Sequence, residues 1–183
     1  MATDILYGMY YIAIVCPEAI NEKVLKYKLW MQQNFDCKVA LKSPAHITLV
    51  APFYFEEGKE KDLLQSFQSF SAGLNSIIIE LSGFSHYGKR VIFIKVNEND
   101  LLELIYKKAI SHFYRMLPKI AKEDDRSFSP HVTIANRDVK PSAFIKAWQY
   151  FSNKKFEMTF ETNSISLLKL TEGKWKIIAD RPW

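Results

Sequence analysis

The chain has 183 residues, 48% hydrophobic and 25% charged, a balance that excludes disordered, collagenous and coiled-coil proteins and fits one domain or two small lobes sharing a core. Lys and Arg number 25 against 20 Asp and Glu, and the whole surplus lies in residues 91–183, with 16 basic against 11 acidic, since residues 1–90 hold nine of each. Such an excess favours a phosphate-bearing partner through long-range attraction, and without a dense Lys/Arg tract DNA is not an expected partner.

Met9–Cys16 (MYYIAIVC) is the longest apolar run. It is far too short to span a membrane and reads as a buried strand, so no membrane association is expected. The N-terminus carries Asp4 and no basic stretch, so no secretory signal is expected and a cytoplasmic location is. Pro17 opens a helix to about Phe35, with Ile20, Val24, Tyr27, Met31 and Phe35 on one stripe. His46–Phe53 (HITLVAPF) reads as a strand. A second helix follows Gly58, with Leu63, Phe67, Phe70 and Leu74 at helical spacing. Strands over Ser76–Phe84 and Val91–Val96 meet through a turn near Tyr87-Gly88. A third helix starts around Asp100, which with Glu103 fits a capping box, and carries Leu102, Ile105, Ala109, His112 and Met116.

An acidic loop follows at Glu123-Asp124-Asp125, then a strand over Pro130–Ala135 (PHVTIA). Pro141 suits the first turn of a fourth helix with Phe144, Trp148 and Phe151. Strands over Lys155–Glu161, Ser164–Leu170 and Lys174–Ala179 close the chain, with a turn at Glu172-Gly173. The order strand, helix, His-bearing strand, helix, strand occurs twice, from 9 to 84 and from 91 to 161. This predicts one domain over 1–183 built from pseudo-symmetric halves of about 1–90 and 91–183.

Two motifs stand out: Pro44-Ala45-His46-Ile47-Thr48-Leu49 and Pro130-His131-Val132-Thr133-Ile134. In a strand, positions i and i+2 share a face. His46 and Thr48 therefore point one way and Ile47 and Leu49 the other; His131 and Thr133 stand likewise opposite Val132 and Ile134. The apolar partners anchor each strand in a core, and an imidazole and a hydroxyl project together from the other face. A neutral His can take a proton from an attacking water and a protonated His can give one to a departing oxygen, both forms being accessible near neutrality. Threonine hydroxyls can donate to nonbridging phosphate oxygens. The set suits phosphodiester chemistry without a metal or other cofactor. The remaining histidines, His86 and His112, have no carboxylate at ligand spacing.

The paired His-x-Thr motifs resemble those of the 2H phosphoesterase superfamily, which includes the LigT-like 2'-5' RNA ligases and cyclic phosphodiesterases. The resemblance covers nearly the whole chain in length, motif spacing and element order. It implies an α+β fold, a duplicated two-lobe arrangement with two antiparallel β-sheets lining a central cleft and helices outside. It also implies hydrolysis of a 2',3'-cyclic phosphate of RNA or a nucleotide, His46 giving the proton to the leaving O3', His131 activating water, and Thr48 and Thr133 holding the phosphate. Relatives often carry an Arg directly after the apolar residues of the second motif; here Asn136 intervenes before Arg137. A regular strand would still put Arg137 on the face of His131 and Thr133, as a phosphate ligand. The continuation Val50-Ala51-Pro52-Phe53 looks more like the bacterial branch than the RNA ligase proper.

Phe53, Phe55, Tyr87 and Phe128 lie near the motifs in sequence and are candidates for stacking a nucleobase. Lys89-Arg90 and His86 are further candidates for the cleft; His112, Cys16 and Cys37 read as structural. A non-catalytic nucleotide- or RNA-binding module and a 3'-5' RNA exonuclease are the alternative functions. Six glycines form no phosphate-cradling loop, and no Gly-x-Ser-x-Gly elbow is present.

Overall fold

The computed structural model describes residues 5–116 and 127–183. The acidic stretch Glu123-Asp124-Asp125 lies outside them. Twelve elements follow in chain order: β1 (Tyr7–Val15), α1 (Glu18–Phe35), β2 (His46–Glu56), α2 (Glu60–Gln68), β3 (Ile77–Tyr87), β4 (Val91–Val96), α3 (Asp100–Met116), β5 (His131–Ala135), α4 (Pro141–Ser152), β6 (Glu157–Thr162), β7 (Ser164–Thr171) and β8 (Lys174–Pro182). A 3-10 turn at Val39–Lys42 precedes β2.

The strands form two four-stranded sheets, ordered β2-β1-β7-β8 and β5-β4-β3-β6. Every pairing is antiparallel. With the helices this is the expected α+β fold. Strands β3 and β4, on either side of residue 90, pair within one sheet, so the two sheets do not divide where the chain halves do. The sheets are tied together by helices that cross over. Helix α1 leaves the first sheet to pack against β5, and α3 leaves the second to pack against β2. On the second sheet Tyr27 of α1 meets Phe84, Phe151 and Phe156 edge-on, and Trp30 stacks on Tyr150 of α4 at 3.7 Å. On the first, Phe67 of α2 and Phe70 just beyond it stack on Phe113 of α3. One continuous apolar cluster runs through both lobes, so neither can bury its own hydrophobic face alone.

The two motif strands, β2 and β5, are each the edge of their sheet and approach one another. Alternation holds along both: Ile47, Leu49, Val132 and Ile134 are buried, while the His and Thr of each motif are only half-buried. Both strands then carry a bulge at the same place. Ala13 pairs with Thr48 and Ile12 with Val50, leaving Leu49 as the extra residue. Phe93 pairs with Thr133 and Ile92 with Ala135, leaving Ile134. Each bulge follows the Thr directly, so Val50 and Ala135 turn into the core and the facing pair His-x-Thr ends there.

Several local expectations are corrected. Helix α2 stops at Gln68, so Phe70 and Leu74 reach the core from the segment after it. Helix α3 is capped by Asn99, whose side chain accepts from the Leu102 N–H at 3.0 Å and whose carbonyl accepts from the Glu103 N–H. Asp100 is the first helical residue, and Glu103 pairs with Lys107. The Glu172-Gly173 turn closes β7–β8 with both residues at positive φ, 52° and 75°, as a twist-matched two-residue hairpin requires. Among the described residues, no helix is long and apolar enough to cross a membrane. Asn99→Ala is expected to cost about 1 kcal/mol in urea unfolding, and Asp100→Ala less than about 0.5 kcal/mol; equal losses would contradict the cap at Asn99.

Candidate functional site

Between the sheets lies a cleft of about 400 Å³ whose walls include His46, Thr48, His131, Thr133 and Arg137. Both imidazoles are oriented by the same local device. The Nδ1–H of His46 donates to the carbonyl of Pro44, two residues back, at 2.8 Å. That of His131 donates to the carbonyl of Ser129, also two residues back and also at 2.8 Å. A carbonyl can only accept, so this bond fixes the proton on Nδ1 in the neutral ring. It leaves Nε2 as the atom free to exchange a proton. The strand start before His46 is pinned from α1: Asn21 donates to the Cys16 carbonyl and accepts from the Ala45 N–H.

Burial pushes the His46 imidazolium down to about 4, against a smaller upward pull from the Pro44 carbonyl; the neighbouring charges of Lys28 and His131 depress it further. Burial also lowers His131, again opposed by its backbone hydrogen bond.

Arg137 reaches the cleft by a route different from strand alternation. Strand β5 ends at Ala135, which is buried. Arg137 sits at φ 55°, in a tight turn closed by the Asp138 N–H on the Asn136 carbonyl. The turn is tied to the segment before β2 by the Asp138 carboxylate, which accepts from the N–H groups of Lys38 and Val39. The aromatic candidates do not form the cleft wall. Phe53 is buried against Tyr10, Phe55 packs on the core, and Phe128 stacks on Tyr106 at 4.0 Å. Tyr87 packs edge-on against His131 and bonds Ser129 at 2.6 Å, outside the cleft lining. Lys89, Arg90 and His86 are exposed and off the cleft; the His86 ring lies against Phe144 and Trp148. His112 bonds the Ser66 carbonyl, and both thiols are buried.

The aromatic wall is instead Tyr11 and Trp175, in edge contact at 4.5 Å, with the Tyr11 ring 4.8 Å from that of His46. Two residues along β1 from Ala13, the partner of Thr48, Tyr11 shares the face of that pair. Trp175 is brought in by its pairing with Leu170, which also lines the cleft. Sequence reasoning missed these two because cross-strand register decides them. It also missed Lys28, for which there was a signal: it falls four residues after Val24 and three before Met31, on the buried stripe of α1. Lys28 is 4% exposed and borders the cleft, and its Nζ donates to the Ser43 carbonyl at 2.9 Å. Lys28, Lys42 and Arg137 give the walls three cations, and no carboxylate lines them among the described residues. No cluster of three or more metal-ligating side chains occurs among those residues.

A family model described as the 2'-5' RNA ligase superfamily matches residues 17–174. The chain is 27% identical over 150 residues to a protein named "Putative phosphoesterase" from Geobacillus thermodenitrificans, covering 80% of this chain and 82% of that one. A second of that name, from Geobacillus kaustophilus, is 27% identical over 172 residues, 92% of each chain. In fold, the chain is similar to E. coli LigT complexed with 3'-AMP, at TM-score 0.66 and 17% identity over 96% of this chain and 97% of that one.

Both imidazoles are harder to protonate in the folded chain than in the unfolded one. Between pH 6.5 and about 4 the unfolded state therefore binds more protons, and stability falls as pH is lowered through that window. Proton NMR of the imidazole C–H signals is expected to give His46 a midpoint near 4; a midpoint near 6.5 would refute the buried neutral ring. His46→Asn is expected to reduce the acid-induced loss of stability in urea melts.

Proposed function

Because this chain belongs to the 2'-5' RNA ligase superfamily, whose relatives here are phosphoesterases in name, we propose that it is a metal-independent phosphodiesterase that opens a 2',3'-cyclic phosphate at the end of an RNA or on a nucleotide. One observation carries the reading. Two imidazoles, each with Nδ1–H tied to the carbonyl two residues back, share one cleft with two threonines and three cations.

In this reading the cyclic phosphate sits between the rings. Thr48 and Thr133 donate to its nonbridging oxygens, and Arg137 adds a charge-assisted donor. Neutral His131 takes a proton from water at Nε2 as the water oxygen bonds to phosphorus. The P–O3' bond breaks, and protonated His46 gives its Nε2 proton to the departing O3'. The product is a 2'-phosphomonoester; His131 has gained one proton and His46 has lost one, so the pair keeps its total charge, and exchange with solvent restores the starting protonation of each ring. Burial keeps His46 neutral at pH 7; a bound phosphate anion would offset the Lys28 charge and favour its protonated form. Tyr11 and Trp175 offer an apolar wall to the nucleobase.

His46→Ala and His131→Ala are each expected to lower kcat on a 2',3'-cyclic nucleotide by about 10²- to 10⁴-fold with the melting temperature retained; parental turnover in both would end the reading. With a 4-nitrophenyl phosphodiester, whose leaving group needs no proton, His46→Ala is expected to recover most of its rate and His131→Ala is not. Identical behaviour of the two variants would contradict the division of roles. Nucleotide binding with no turnover across a panel of cyclic and linear substrates would favour a binding module, and mononucleotides released from linear RNA an exonuclease.

A further inference from the structure

One charge in the cleft is not accounted for by the paired imidazoles and threonines. Lys28 lies on the buried stripe of α1, between Val24 and Met31, where an apolar residue would pack. Its ammonium donates to a neutral carbonyl, that of Ser43, and no carboxylate among the described residues compensates it. Burial lowers it to about 8, and the nearby Cys16 thiol, itself pushed up to about 12, is neutral at pH 7 and supplies no counter-charge. An uncompensated buried cation costs stability, and methionine of similar length would avoid the cost. The ammonium has three donors and uses one on Ser43. It borders the cleft and lies near enough to His46 to disfavour that ring's protonation.

We propose that Lys28 is a substrate-binding residue whose buried ammonium holds a nonbridging oxygen of the phosphate lodged between His46 and His131. The assignment rests on the phosphodiester reading of the cleft given above. A buried ammonium that costs the folded protein stability is compensated when an anion binds beside it, so substrate supplies the counter-charge. The competing account is structural: Lys28 would serve only to pin Ser43 and, through Pro44, the carbonyl that orients His46. The two accounts predict opposite signs for one substitution.

The experiment compares the parent with Lys28→Met and Lys28→Arg in three measurements: melting temperature, sulfate binding by calorimetry at pH 7 and low ionic strength, and kcat and KM on a 2',3'-cyclic nucleotide. Lys28→Met is expected to keep or raise the melting temperature, to weaken sulfate binding about 10- to 100-fold and to raise KM. Lys28→Arg is expected to bind sulfate more nearly like the parent than like Lys28→Met. Unchanged sulfate affinity in Lys28→Met, equal loss in both variants, or a Lys28→Met protein that melts several degrees lower or does not fold would overturn the proposal in favour of the pin. If the parent opens no cyclic phosphate, the phosphodiesterase reading falls, and the sulfate measurement decides the anion role of Lys28 independently.

Discussion

Two sheet edges facing one another set the geometry of this protein. An edge strand has one side without a hydrogen-bonding partner, and β2 and β5, both edges, contact one another across the two sheets. Because a strand alternates its side chains, a polar pair at i and i+2 can face the cleft only if i+1 and i+3 have a core to enter. The crossing of α1 and α3 supplies that core from the opposite lobe. Each motif is therefore anchored by helices that its own sheet neighbours do not carry. The bulges at Leu49 and Ile134 stop the alternation one residue after the threonine and return the chain to the interior. The likeness between the two motifs thus extends from residue types to hydrogen-bond register and to the carbonyl that orients each ring.

The electrostatics follow from the burial of the ionisable groups that line the cleft. Burial disfavours charge on both imidazoles and on Lys28, and the walls hold cations with no carboxylate among the described residues. The walls are thus short of negative charge, and burying their positive charge costs stability. A phosphodiester anion is the complement of that state, which gives a physical reason for phosphate chemistry apart from the similarity of the chain to phosphoesterases.

Period-2 patterning around His46 and His131 was readable because apolar and polar residues alternate without interruption there, and alternation maps directly onto faces. The helices were readable from their stripes, including Pro17 and Pro141 at their starts. The α2 end was not, since Phe70 and Leu74 keep a helical spacing while serving the core from an irregular segment. Asp100 and Asn99 are both good caps by type, and only backbone geometry distinguishes them. Arg137 arrives in the cleft through a positive-φ turn stabilised by Asp138, a contact spanning about a hundred positions. Phe53, Phe55 and Phe128, near the motifs in sequence, went to the core instead.

From the amino-acid order alone came the two His-x-Thr faces and the expectation of a phosphate-bearing partner, since each depends on spacing within ten residues or on summed charge; the antiparallel α+β class was implied by the resemblance of the paired motifs to the 2H phosphoesterases. Tertiary structure decided which aromatics line the cleft, how Arg137 is delivered, and that Lys28 is a buried cation bordering the cleft rather than a solvated one on a helix. Those outcomes turn on cross-strand register and on which helix face a distant sheet covers. Both are contacts between remote segments, and local pattern carries no record of them.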